Sequence, residues 1–142
     1  MKNNQEMLSS ILKTTQMGQV GIRSILDTSM RPSLRKALES QLQEYDSIES
    51  QAHALANQRG WKLPELNQGV RLMSDMASRM KLSYGHADSK IADMMIIGNT
   101  RGMVKGLKNL HRWKEHDSQI ETLSQKLIET EVANIRQMQP FL

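Results

Sequence analysis

The chain contains no cysteine. Disulfides and thiolate chemistry are therefore excluded, and nothing in the composition asks for an oxidising compartment. Aromatic residues are nearly as scarce, with one Phe, two Tyr and two Trp in 142 residues. That is little stacking surface for a nucleic-acid groove. Charge is mixed rather than one-sided: 19 basic and 15 acidic residues are interleaved, for a formal net charge of +4. The slight gathering of Lys105, Lys108, Arg112 and Lys114 reads as a solvated basic face, so no nucleic-acid partner is expected. No run approaches the roughly 18 apolar residues of a membrane span, and "MKNNQEMLSSILKTTQ" does not have the pattern of a signal peptide. Strand-like runs of β-branched and aromatic residues are missing too. What these absences leave is an all-α protein of one domain over 1–142, expected in the cytoplasm.

Only three prolines occur, at 32, 64 and 140, and they punctuate helices. Leu8, Leu12, Thr15, Gln19, Ile22 and Leu26 have helical spacing over about 4–28. Pro32 suits the first turn of a second helix, about 32–59, which uses Leu34, Leu38, Leu42, Tyr45, Ile48, Ala52 and Leu55. Gly60 is a natural stop for it. A shorter amphipathic piece, about 67–84, carries Val70, Met73, Met76, Ala77 and Met80. A third long helix is expected over about 89–112, capped by Asp88 or Ser89. A fourth, about 118–139, opens on Ser118 and Glu121 at capping-box spacing. Short links after the first and third long helices imply two antiparallel hairpins, joined by a long crossover that holds the short helix.

The third helix contains "IIGNTRGMVKGL", whose "GN" alone would read as a turn. Its glycines, Gly98, Gly102 and Gly106, nevertheless recur every four residues, a helical interval. On a helical wheel they fall at the flank of a buried arc, opposite Asp93, Arg101 and Lys105. Each glycine costs about 1 kcal/mol against alanine in a helix interior, so the stripe predicts one close helix contact, with Gly18 and Gly21 as candidate counterparts. Asn99 sits near the centre of the buried arc. Gln19, Glu49, Glu131 and Asn134 occupy comparable inward positions on the other helices, so a central polar layer is expected.

The segments "LRKALESQLQEYDSIESQAHALANQRGW" and "KIADMMIIGNTRGMVKGLKNLHRWKEHDSQIETLSQKLIETEVANIRQMQPFL" resemble the second helix and the second hairpin of small bacterial ferritin-like proteins. The resemblance implies a ferritin-like antiparallel four-helix bundle with its long crossover between helices 2 and 3. Active di-metal members carry an inward Glu on each of two helices and Glu-x-x-His on each of the other two. In this chain the corresponding positions hold Gln19 on the first helix and Glu49 on the second. Ala52 stands where His is needed, and His53 comes one residue late. The third helix offers Asn99, and the fourth offers Glu131 followed by Asn134 in place of His.

These departures favour a degenerate metal site with no catalytic residue and no cofactor, in a bundle acting as a structural or protein-interaction module. The rival expectation is an iron- or manganese-binding protein or oxidoreductase, with Glu49, His53 and Glu131 as ligands. The eleven methionines read first as flexible core filler; a Met-rich groove for an apolar ligand or a partner helix is a third expectation. Ile97 and Val104 fall on the polar side of the third helix, which suggests a second buried face and a homo-oligomer, as a dimer.

Overall fold

The computed structural model describes residues 2–64 and 87–142. Four long α-helices account for most of them: α1 (Asn4–Ile25), α2 (Pro32–Arg59), α3 (Ala87–Arg112) and α4 (Ser118–Met138), followed by a 3-10 turn at Gln139–Phe141. Among the described residues there is no strand, only an isolated backbone bridge between Lys2 and Trp113. None of the described helices is long and apolar enough to cross a membrane. The expected short helix at about 67–84 lies outside the described residues.

Helix ends follow local chemistry. Asn3 caps α1, its side chain accepting from the Glu6 backbone N–H at 2.8 Å. The helix ends at Ile25 rather than near 28, because the carbonyls of Leu26 and Thr28 turn away to accept from the Arg35 guanidinium. Pro32 opens α2, and Gly60 closes it in the left-handed region at φ 68°, where glycine meets no Cβ penalty. α4 is capped by Asp117 instead of the expected Ser118–Glu121 box: its carboxylate accepts from the N–H groups of Gln119 and Ile120 at 3.0 and 3.1 Å. Ser118 is thereby the first helical residue. Asp88, one of the caps expected for α3, lies inside that helix and pairs with Arg31 at 2.7 Å.

The register of the helices is fixed by contacts between them. Gln16 meets Glu49 and Gln19 meets Asp46, so α1 and α2 run antiparallel. Gln41 meets Gln137 and Arg59 meets Gln119, making α2 and α4 antiparallel. Asn99 meets Asn134, while Ser10 meets Asn109, which sets α3 against α4 and against α1 in the same sense. Going round the bundle the order is α1, α2, α4, α3, and α2 and α3 run parallel across the diagonal. α1 packs chiefly on α2, and α3 chiefly on α4.

Leu8, Leu34, Leu38, Ile48, Ile91, Ile120 and Met138 form the buried centre of this arrangement. Burying each such side chain contributes about 1.5–3 kcal/mol.

Candidate functional site

The middle of the bundle is polar. Tyr45 on α2 points inward between Leu38 and Ile48 and is 2% exposed; a phenol so placed needs a partner for its hydroxyl. It donates to Asn99 Oδ1 on α3 at 2.9 Å and accepts from Asn134 Nδ2 on α4 at 3.3 Å. Asn134 Nδ2 also donates to Asn99 Oδ1 at 3.2 Å. Asn99 completes its bonding through Nδ2 to the Met95 carbonyl at 2.7 Å. Three helices are tied together by these side chains.

Glu131 lies beside this triangle and is 2% exposed. Its Oε2 has no hydrogen-bond partner. Burial pushes its carboxyl up to about 8, and the neighbouring Tyr45 hydroxyl offsets only part of that rise. Tyr45 is itself held well above its ordinary value, by burial first and then by the nearby Glu131 charge. At neutral pH both groups are therefore protonated.

Two glycines make room for this pair. A Cβ at Gly18 would lie 2.6 Å from the Tyr45 ring, and one at Gly102 would lie 2.8 Å from Glu131 Oε1. Gly106 similarly admits Ile128, at 2.9 Å. The expected close contact of the glycine stripe thus exists at Gly102 and Gly106, but against α4. At Gly98 a Cβ would meet nothing within 4 Å. Gly18 and Gly21 are not packing counterparts of the α3 glycines, because the ring of Tyr45 takes the space at Gly18. They instead line, with Gly98 and Gly102, a groove of about 390 Å³ between α1 and α3.

Of the residues expected in the polar layer, Asn99, Asn134 and Glu131 are brought together. Gln19 is buried but turns to α2, donating to Asp46 Oδ1 at 2.7 Å. Glu49 is only partly buried and accepts from Gln16 at 3.3 Å. Tyr45 joins the layer although its spacing marks it only as core; the signal for it was a lone hydroxyl in an otherwise aliphatic row. Gln41 was also missed. It is buried, donates to Gln137, and has its Oε1 unpartnered.

The ligand set Glu49, His53 and Glu131 does not converge. His53 is exposed and faces Trp61 and Gly60 at the end of α2, Glu49 pairs with α1, and Glu131 faces the interior. Among the described residues no group of three or more His, Asp or Glu side chains is placed to hold a metal ion. The donors that do meet at the centre are amides, a phenol and one carboxyl. An iron or manganese pair held by four carboxylates and two imidazoles does not fit them.

No protein-family model and no curated protein matches the chain. A solved structure similar to it is the crystal structure of a DUF305 fragment from Deinococcus radiodurans. The match has a TM-score of 0.74 and covers 96% of this chain and 93% of that one, at 17% sequence identity. At that identity the likeness is one of fold: the chain is an all-α four-helix bundle.

Proposed function

We propose that the protein is a ferritin-like bundle that works as a protein-interaction module and carries out no redox metal chemistry. The parallel run of α2 and α3, each antiparallel to its neighbours, supports this reading, since ferritin-like bundles share that arrangement. The observation that carries the functional reading is the Tyr45–Asn99–Asn134 triangle. These neutral groups bond to one another at the level where a di-metal bundle presents carboxylates and imidazoles to its ions. Hard divalent ions need anionic oxygen or imidazole donors, and opening the triangle would leave buried amides unpaired at about 1–3 kcal/mol each.

Titration calorimetry with Fe(II) and Mn(II) on the purified protein tests this. The expected result is no stoichiometric binding. One or two ions bound per chain, and lost in both Glu131→Ala and Glu49→Ala, would overturn the proposal.

The module's partner in this reading includes a second copy of the chain. Ile97, Val104 and Leu107 on α3 are 45%, 40% and 44% exposed. Ile97 and Val104 lie seven residues apart, on one helix face.

A further inference from the structure

The groove between α1 and α3 shares Ile97 with that face, but its interior is not used by it. Its volume of about 390 Å³ falls within the roughly 300–1,000 Å³ of small-molecule sites. Met17, Ile22, Met94 and Met95 give it an apolar wall, and methionine adapts to the shape of what it touches. The open space at Gly98 adds room where any other residue would fill it.

Two further features point to a ligand. Glu131 faces the groove with its buried Oε2 unpartnered, and Gly102 admits that carboxyl to the wall. Arg101, next to Gly102 in sequence, and Lys105, one helical turn further on, also line the groove. Neither is in an ion pair among the described residues, whose pairs are Arg23–Asp46, Arg31–Asp88 and Arg59–Asp117. Lys105 is pushed down from its ordinary value by burial and then by the charges of Lys13 and Lys2, a strain that a bound anion relieves. Asp93 and Lys90 lie toward the other end.

We propose that this groove binds a medium-chain 3-hydroxy carboxylate. The ligand carboxylate meets Lys105 and Arg101, its hydroxyl meets the Glu131 carboxyl, and its chain lies along Met94, Met95 and Ile22. From Gly102 back to Met95 is seven residues of helix, about 10 Å at 1.5 Å per residue, which accommodates a tail of some seven carbons. A hydroxyl both donates and accepts, so it pairs with Glu131 in either protonation state. A cationic ligand would meet the unpaired Lys105 and Arg101 and be repelled. The inference does not depend on the interaction-module reading, since metal titration decides that reading separately.

The test uses the full chain labelled at its methionine methyls and titrated with 3-hydroxydecanoate below its micelle concentration. Decanoate and methyl 3-hydroxydecanoate serve as comparison probes. Saturable shifts at Met17, Met94 and Met95, with Met7 and Met138 unmoved, are expected. Loss of the hydroxyl should weaken binding about 3- to 10-fold, the worth of one hydrogen bond. Loss of the charge, or the double variant Lys105→Gln/Arg101→Gln, should weaken it at least as much. Glu131→Leu, confirmed folded by circular dichroism, should bind decanoate and 3-hydroxydecanoate equally. Equal affinity of the wild type for those two probes, or shifts spread through the core methionines, would overturn the proposal. So would unmoved methyls, the outcome if another part of the chain or a second copy fills the groove.

Discussion

Glu131 departs far from the ordinary behaviour of a carboxyl, and the departure has a measurable sign. In the unfolded chain its carboxyl titrates near the ordinary 4.5, whereas in the bundle burial pushes it up to about 8. The folded state therefore favours the proton. Its stabilising share is fully present below about pH 4.5 and is lost as pH rises through 8. The slope is about 1.4 kcal/mol per pH unit for one proton. Urea unfolding at pH 5, 6.5 and 8 should show this decline in the wild type and a flatter profile in Glu131→Gln. The glycines give a second contrast at the same scale. Gly98→Ala adds a methyl to open space in a helix interior and should stabilise by about 1 kcal/mol. Gly18→Ala drives a methyl into the Tyr45 ring and should destabilise by about 1–3 kcal/mol. Thermal melts of the two variants, moving in opposite directions, would bear this out; a shared direction would contradict it. Inward polar positions such as Asn99 and Asn134 could be read from periodicity alone. The partner of each could not, because Gln19 and Glu49 turn to neighbours on the adjacent helix that no spacing within one helix specifies.

At the scale of the element, α3 shows how far periodicity reaches. "IIGNTRGMVKGL" is continuous helix despite its local turn signal, because its inward residues serve neighbouring helices along its whole length. The stripe's role divides, however. Gly102 and Gly106 admit side chains of α4, while Gly98 opens the groove. Equal spacing could not separate these roles, which depend on where α1 stands. Caps show the same limit: Gly60 and Pro32 act where their backbone chemistry requires, but Asp117 displaces Ser118 as the α4 cap because it also pairs with Arg59 at 2.7 Å. Tyr45→Phe probes how strongly the elements are tied at the centre. It keeps the ring against Gly18 and removes only the hydroxyl joining α2 to α3 and α4. A loss of about 1–2 kcal/mol in urea unfolding is expected; an unchanged midpoint would mean the triangle contributes nothing to holding the helices.

For the whole molecule, hairpin lengths and the long return were enough to anticipate four antiparallel-packed helices, and the structure has them. Which functional groups meet depended on the rotation of each helix, where a few tens of degrees move a side chain from centre to flank. His53 illustrates the point, since one residue's offset places it on the exposed side of α2. Self-association also belongs to this scale. The exposed Ile97, Val104 and Leu107 stand among Arg101, Lys105 and Lys108 on α3, so two copies meeting there would bring like charges together. Salt screens such repulsion, and sedimentation equilibrium should show the dimer strengthening between 50 and 500 mM salt. A monomer at both concentrations would remove α3 as a self-association face. The central claim, that the bundle's middle is a protonated, hydrogen-bonded layer instead of a metal site, is tested most directly by the carboxyl carbon resonance of Glu131 in glutamate-labelled protein. The account predicts a titration midpoint near 8 and a resonance left sharp by one equivalent of Mn(II). A midpoint near 4.5, or selective paramagnetic broadening of that resonance by Mn(II), would contradict it.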